Sequence, residues 1–209
     1  MFDRELRLTI LGNAGVGKTT LIKRLKGEEL ETEKTTDISV EKRKIKLHSQ
    51  KSASYISLEK YRWYEIVAVD TPGDFTLRRQ WRVAMAKYKA DGILFLLDPT
   101  QSIMVQKSAM EDAFNYYLDS LDMKQQKANR IAREKKALFY FVVNKIDLLN
   151  NSKQKAKDFL DNFSETLKAY YEKFPKSIFK EGFISVQNSP YEQLDAIFEQ
   201  VKQALYDNQ

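Results

Sequence analysis

The feature that most constrains the fold is a glycine-rich segment, Gly12–Thr19, with the sequence GNAGVGKT. It follows an apolar run typical of a buried strand, Leu6–Leu11, and opens an amphipathic stretch, Lys18–Lys26. This order matches the pattern G-x-x-x-x-G-K-[ST], in which backbone N–H groups and a helix N-terminus converge on phosphate oxygens. The segment therefore predicts a phosphate-binding loop, in which Lys18 reaches the β- and γ-phosphates and Thr19 supplies a hydroxyl to Mg²⁺. The alternative is a glycine-rich turn without a ligand.

Composition narrows the chemistry available around this loop. The chain has 209 residues, no cysteine and a single histidine, His48. This excludes disulfides, thiolate zinc sites and a thiol nucleophile, rules out a two-histidine metal site and disfavours a Ser-His-Asp triad. The longest apolar run, Ala137–Val143, is too short to span a membrane, so we expect a cytoplasmic protein. The net charge of +6 is a weak indication of anionic partners.

Strand-like and helix-like segments alternate along the chain, which favours an α/β fold with a mostly parallel sheet. Further buried strands are predicted at Ile66–Val69, Ile93–Leu97 and Leu138–Val143. Further helices are predicted at Leu77–Lys89, Lys107–Lys136, Lys153–Phe174 and Tyr191–Tyr206. The region Asp37–Val69 contains strand-like runs and no helical stretch, so it predicts an antiparallel hairpin at one sheet edge.

A second motif, Asp70–Gly73, directly follows the strand-like run Ile66–Val69. The carboxyl ends of strands are where ligands bind in open α/β sheets. At such a position Asp70 holds Mg²⁺, through water, and the Gly73 amide donates to a γ-phosphate oxygen. The alternative is a strand-ending turn capped by Asp70.

A third motif, Asn144–Asp147, directly follows the strand-like run Leu138–Val143. An ionised Asp147 only accepts hydrogen bonds, which matches the adjacent N1–H and N2–H₂ donors of guanine. Adenine lacks that amino group and would leave the carboxylate unpaired. Asn144 would bond the opposite edge of the base, and the aliphatic stem of Lys145 would cover the ring. The three motifs together predict a site for GTP or GDP with Mg²⁺, whereas a helix-start segment is the alternative for the third motif alone.

In this order and spacing the motifs resemble the Ras-like small GTPases over nearly the whole chain. The resemblance implies a P-loop NTPase fold of the Ras-like G domain type, with a mostly parallel six-stranded sheet, one antiparallel edge strand and helices on both faces. It also implies a single GTP-binding domain over residues 1–209. Five segments are most similar to the Arf and Sar-like branch: Gly17–Thr20, Leu25–Glu28, Asp70–Gly73, Arg79–Arg82 and Ala90–Ile93.

The resemblance also assigns individual site residues. Those of the phosphate loop are Gly12, Asn13, Ala14, Gly15, Val16, Gly17, Lys18, Thr19 and Thr20. Those of the base site are Asn144, Lys145, Asp147, Ser185 and Val186, although the family usually has Ala-Lys where this chain has Val186-Gln187. The implied metal ligands are Thr19, Thr35 and Asp70, with Thr36 as the alternative to Thr35. Hydrolysis is assigned to Lys18, Thr35, Gly73 and Asp74.

Asp74 departs from the family, which usually has at this position a Gln that orients the attacking water. Because an Asp is shorter and its charge would lie near the γ-phosphate, we expect slow hydrolysis unless a partner supplies the missing group. We interpret Arg78 and Arg79 as surface charges, with a catalytic role in cis as the alternative. Residue 2 is Phe rather than Gly, so we expect no lipid anchor, and membrane binding would need a protein adaptor.

The implied function is a GTP/GDP switch, active as a monomer or a nucleotide-dependent dimer. Effector, exchange-factor and activating proteins are expected at Thr35–Val40 and Gly73–Arg82. Flanking aromatic residues predict either a partner-binding patch or core packing: Trp63, Tyr64 and Trp81.

Other functions remain as alternatives. The basic stretch Lys124–Lys136 is interpreted as a solvated helix face, with RNA, acidic lipid or an acidic protein as less favoured partners. The chain could instead be a ribosome- or RNA-associated GTPase, or a pseudo-GTPase that binds nucleotide without turnover. A P-loop kinase or ATPase is disfavoured by the motif Asn144–Asp147.

Overall fold

The computed structural model describes residues 4–26, 38–48, 61–121, 133, 136–189, 197 and 200. In these ranges the strands are β1 Arg4–Leu11, β2 Ser39–His48, β3 Tyr61–Asp70, β4 Gly92–Leu97, β5 Leu138–Val143 and β6 Ile178–Phe183. The α-helices are α1 Lys18–Lys26, α2 Arg79–Tyr88, α3 Ile103–Leu121, α4 Lys153–Asp161 and α5 Ser164–Lys173. Short 3₁₀ segments cover Phe75–Leu77 and Ile146–Leu149. Over the described helices, none combines the length and apolar character that crossing a bilayer requires.

The strands form one sheet in the order β2-β3-β1-β4-β5-β6. β3, β1, β4, β5 and β6 pair in parallel, and β2 pairs antiparallel with β3. The α/β class and the mostly parallel sheet predicted from the alternation are confirmed. Because the parallel strands point the same way, the segments that follow them meet at one edge of the sheet.

Helices cover both faces of this sheet. β4 and β5 are buried along their whole length, which is why their sequences are continuously apolar. Successive side chains point to opposite faces, so Phe139 and Phe141 pack with α2 to α5, whereas Leu138 and Val142 pack with α1. The two apolar layers hold the sheet rigidly under the loops at its carboxyl edge.

Buried aromatic rings form the larger of the two layers. Tyr117 lies edge-on to Phe139 at 5.4 Å between ring centroids, and Phe139 lies 4.9 Å from Phe174. Burial, with a smaller contribution from Asp91, raises the pKa of the Tyr117 phenol well above its ordinary value. Its hydroxyl therefore stays protonated and lies 3.5 Å from the Ala90 carbonyl oxygen, to which it donates.

Several predicted helix boundaries were wrong. The predicted helix Lys153–Phe174 is two helices, because the Asn162 side-chain amide donates to the Asp158 and Phe159 carbonyls and ends α4, after which Phe163 turns into the core. α3 begins at Ile103 rather than Lys107. A 3₁₀ turn precedes α2 where one helix, Leu77–Lys89, was predicted. Most of Lys124–Lys136 and of Tyr191–Tyr206 lies outside the described residues.

Two methionines on α3 provide a matched test of this packing. Met110 is fully buried, and its carbonyl accepts the Tyr170 hydroxyl, whereas Met104 is 80% exposed. Met110→Ala removes core contacts and should lower the free energy of unfolding by about 2–5 kcal/mol. Met104→Ala should change it by less than about 0.5 kcal/mol. Urea denaturation of both variants checks the expectation, and equal losses would contradict the placement of α3.

Candidate functional site

The glycine-rich segment forms a tight loop between β1 and α1, as its sequence predicts. Gly12, Gly15 and Gly17 have φ values of 139°, 75° and 97°, a region that residues with a Cβ rarely adopt. A Cβ on Gly12 would also lie only 2.6 Å from the Leu96 carbonyl oxygen, on the neighbouring strand β4. The glycines are therefore required both by the backbone conformation and by close packing on the sheet.

Lys18 lies inside the curve of this loop rather than on the surface. Its side chain is buried, and its Nζ donates to the carbonyl oxygens of Gly12 at 3.1 Å and Asn13 at 3.0 Å. Thr19 and Thr20 follow on the first turn of α1 and are partly buried. A cation, backbone amides and a helix N-terminus thus share one small volume, which is an arrangement suited to a polyanion.

The Asp70–Gly73 turn lies against the phosphate loop. The Thr71 hydroxyl donates to the Ile10 carbonyl at 2.8 Å, which joins the ends of β3 and β1. A Cβ on Gly73 would lie 2.4 Å from the Asn13 carbonyl carbon and 2.5 Å from the Ala14 nitrogen. Close backbone contact therefore requires glycine at this position.

The structure describes one of the two remaining predicted metal-site positions, Asp70, but not Thr35. Asp70 is the last residue of β3, so its backbone lies at the carboxyl edge of the sheet. Thr35 and its alternative Thr36 lie outside the described residues, as does Asp37, which follows them in the predicted partner segment Thr35–Val40.

Asp74 is exposed, and its carboxylate holds the turn that follows it. Oδ1 accepts from the Thr76 backbone N–H at 2.9 Å and from the Thr76 hydroxyl at 2.6 Å. The side chain thereby caps the 3₁₀ segment Phe75–Leu77. Asp74 therefore has a structural role in this turn, separate from its predicted role in hydrolysis.

The interpretation of Arg78 as a surface charge was wrong, whereas Arg79 is exposed as expected. Arg78 is 3% exposed and donates from Nη2 to Asn13 Oδ1 at 2.8 Å and from Nη1 to Asp112 Oδ2 at 2.9 Å. Local sequence conceals this, because Arg78 lies among charged neighbours and finds its partners only through tertiary contacts.

Trp81 belongs to the core and not to a partner-binding patch. It is fully buried, its Nε1 donates to the Pro72 carbonyl at 2.7 Å, and its ring lies edge-on to Phe95. This bond fixes α2 to the end of the Asp70–Gly73 turn. The side chains of Trp63 and Tyr64 lie outside what the structure describes.

The Asn144 side-chain amide joins three loops. Its Nδ2 donates to the Val16 carbonyl at 2.7 Å, and its Oδ1 accepts from the Val186 N–H at 2.7 Å. A Cβ on Gly17 would lie 2.5 Å from that same Nδ2. The predicted contact of Asn144 with the base is therefore accompanied by a structural role, in which it ties the phosphate loop to the segment after β6.

Asp147 presents a carboxylate with one free position. Its Oδ2 accepts from Asn188 Nδ2 at 3.0 Å, whereas its buried Oδ1 has no hydrogen-bond partner among the described residues. A buried carboxylate oxygen without a donor is costly, and such atoms normally find a partner. This position therefore fits a ligand that supplies N–H groups.

Lys145, two residues earlier, is fixed by a buried carboxylate that sequence reasoning missed. Lys145 has φ 58°, and its Nζ lies 2.5 Å from Oδ2 of Asp98, which is fully buried. Asp98 Oδ1 accepts from the N–H and the hydroxyl of Thr100. Asp98 follows β4 directly, so its position at the same sheet edge as the three motifs was the available signal.

The loop after β4 also touches the phosphate loop. Gln101 Nε2 donates to the Ala14 carbonyl at 2.8 Å, and the Gln106 amide pairs with both the N–H and the carbonyl of Asp98. Lys145 and Ala14 are thereby connected through one hydrogen-bonded loop.

Ser185 and Val186 follow β6 and are buried. The Ser185 N–H donates to Ser189 Oγ at 3.0 Å. From α1, Arg24 Nη1 donates to the carbonyls of Val186 at 2.6 Å and Gln187 at 3.1 Å. The structure thus brings the segment after β6 beside Asn144 and Asp147, as expected from the resemblance.

We expect Asn144→Ala to destabilise the protein even without a ligand. The change leaves the Val16 carbonyl and the Val186 N–H unpaired in a buried position, at a cost of about 1–3 kcal/mol. Asn115→Ala, at an exposed position on α3, is the control and should be close to neutral. Urea denaturation of nucleotide-free protein measures the free energy of unfolding of both variants. An unchanged value for Asn144→Ala would refute the structural role of the Asn144 side chain.

Comparison with known proteins agrees with this geometry. A family model described as "50S ribosome-binding GTPase" matches residues 7–145, which include the phosphate loop and Asn144. ADP-ribosylation factor-like protein 1 of Saccharomyces cerevisiae (strain ATCC 204508 / S288c) is 30% identical over 123 residues, or 53% of this chain and 57% of that protein. The chain thus spans little more than half the length of this curated relative. Since the family model covers most of the chain, the protein belongs to this GTPase family, as a small GTPase similar to the Arf-like branch.

Proposed function

We propose that the chain is a GTP/GDP-dependent switch, with residues 1–209 as a single GTP-binding domain that hydrolyses GTP and recruits effectors. The observation that carries the proposal is Asp147 Oδ1 at the proposed base position, which has no hydrogen-bond partner within the described ranges. It lies in a site joined by Asn144 to the glycine-rich loop that encloses Lys18. A carboxylate suited to a base and a loop suited to phosphates lie in one connected site. This favours a nucleotide as the ligand over a simple anion.

Asp147 supports guanine as the base. The N1–H and N2–H₂ donors of guanine would satisfy a carboxylate that has only acceptor positions. Adenine would leave Oδ1 unpaired, which is the kind of mismatch that discriminates strongly. Asn188, which donates to Oδ2, and Asp98, which fixes Lys145, would hold Asp147 in position for the base.

The phosphate loop would hold the phosphates and Mg²⁺. The residues from Gly12 to Thr20 would surround the phosphates, with Lys18 as the cation among them. Thr19 would supply a hydroxyl to the metal ion, with Asp70 and Thr35 as the further ligands and Thr36 as the alternative to Thr35. Bound Mg²⁺ supplies charge neutralisation at the phosphates.

Hydrolysis would be slow without a partner. A water attacks the γ-phosphorus, the bond to the β–γ bridging oxygen breaks, and Lys18, Thr35 and the Gly73 amide would stabilise the charge that develops. Asp74 occupies the position of the water-orienting Gln, but its Oδ1 is hydrogen-bonded to Thr76. A carboxylate held in this way positions water poorly, so we infer that an activating protein supplies the missing group.

Effectors and regulators would bind the nucleotide-sensitive segments Thr35–Val40 and Gly73–Arg82. Within the second segment, Phe75 is 72% exposed beside the exposed Asp74, so it offers an apolar anchor for a partner. We propose a cytoplasmic monomer or nucleotide-dependent dimer.

A ribosome-associated GTPase is the second candidate, favoured by the name of the matching family, "50S ribosome-binding GTPase". The basic stretch Lys124–Lys136 supplies positive charge, although the structure describes only residues 133 and 136 of it. Co-sedimentation with ribosomes at physiological salt, with GDP or a non-hydrolysable GTP analogue present, separates the two functions. GTP-dependent sedimentation would favour the ribosomal role over the effector switch.

Asp147→Asn should exchange base specificity. The new amide can donate to the C2 carbonyl of xanthine but no longer accepts both donors of guanine, so affinity for fluorescent GDP should fall by at least about a hundredfold. Affinity for the xanthosine nucleotide should rise. Asp161→Asn, at an exposed position at the end of α4, should bind as the wild type does. Unchanged guanine affinity in Asp147→Asn would refute the assigned base site.

Asp74→Gln should accelerate GTP hydrolysis. A neutral, longer amide orients water and removes a negative charge near the γ-phosphate, so the single-turnover rate should rise by about tenfold. Asp161→Gln is the matched control. A wild-type rate already well above that of unassisted small GTPases, or no gain in the variant, would exclude Asp74 as the cause of slow turnover.

A further inference from the structure

Arg78 is enclosed where three elements meet. It is the N-cap residue of α2, its Nη2 donates to Asn13 in the phosphate loop, and its Nη1 donates to Asp112 on α3. The guanidinium carbon lies 5.0 Å from the ring centroid of Phe75 and 5.7 Å from that of Trp81. One side chain therefore links the phosphate loop to α2 and α3.

The burial of Arg78 carries a cost in free energy. A buried cation loses its hydration, and an ion pair with Asp112, which is 34% exposed, offsets that cost poorly compared with an apolar residue of the same volume. Arg78 Nε and Asn13 Nδ2 are also buried without a hydrogen-bond partner among the described residues. In some proteins, buried polar groups of this kind select one packing arrangement over another, which motivates a positioning role for Arg78.

The neighbouring backbone shows which arrangement is selected. Gly73, five residues before Arg78, lies in close contact with the Asn13–Ala14 backbone. Trp81 fixes the Pro72 carbonyl, so the turn that carries Gly73 is held between α2 and the phosphate loop. Movement of α2 away from Asn13 would withdraw Gly73 from the loop that surrounds the terminal phosphate.

We propose that Arg78 is a positioning residue that couples the phosphate loop, through Asn13, to the placement of Gly73 and α2. It thereby raises the preference of the protein for GTP over GDP. This inference rests on the proposed nucleotide switch. If the γ-phosphate favours the position of Gly73 seen here, linkage requires that the contact which holds this position favours the triphosphate equally.

The test compares dissociation constants for fluorescent GDP and a fluorescent non-hydrolysable GTP analogue. Arg78→Lys keeps the charge, but without the planar guanidinium group it cannot bond Asn13 and Asp112 in the same geometry. Arg78→Lys and Asn13→Ala should each lower the preference for the GTP analogue by about tenfold. The double variant should lose no more than either single variant, because both remove the same link. Arg79→Lys, at the exposed neighbouring position, is the control and should leave the preference unchanged.

The outcomes separate this inference from the proposed function. If the wild-type protein binds neither nucleotide, both fail. If it binds both and the preference is the same in all variants, the coupling is refuted while the switch stands. A lower single-turnover hydrolysis rate in Arg78→Lys with an unchanged preference would make Arg78 catalytic and would also overturn the coupling. Urea denaturation verifies folding, and Asn13→Ala carries the test if Arg78→Lys does not fold.

Discussion

The clamp made by the Asn144 amide is the interaction on which the rest of the site depends. One side chain accepts from the Val186 N–H and donates to the Val16 carbonyl, so it joins loops that follow three different strands. Its position after β5, which pairs with β6 and is separated from β1 by β4 alone, makes this geometrically feasible. The clamp sets the distance between the phosphate loop and Asp147, and hence between any phosphate and any base that bind there.

Three cations of the site are each held by hydrogen-bond acceptors that fix a loop. Lys18 is held by loop carbonyls, whereas Lys145 is held by the buried carboxylate of Asp98. Arg78 reaches from α2 to Asp112 and Asn13. Among the described residues Asp147 Oδ1 is a buried acceptor without a partner, and a ligand with N–H donors would complete it.

The phosphate loop and the inner strands were predicted from short stretches because their requirements are local. Glycine is needed wherever φ is positive, as at Gly15 and Gly17, and this need is visible in the order of residues. β5 was predicted with its observed bounds, Leu138–Val143, because burial on both faces produces an uninterrupted apolar run. Helix ends were less predictable, as in Lys153–Phe174, where a side-chain cap at Asn162 and burial of Phe163 divide one amphipathic pattern into two helices.

By itself the sequence determined the α/β class, the glycine-rich loop and the place of the motif Asn144–Asp147, since each depends on backbone conformation or on burial along a single segment. Only the tertiary structure decided that Arg78 is buried rather than exposed, and that Asp98 holds Lys145. Both depend on partners far away in the chain: Arg78 bonds Asn13, 65 residues earlier, and Lys145 pairs with Asp98, 47 residues earlier. No local pattern records such pairs, because the partners meet only when the chain folds and buries at least one of the two groups.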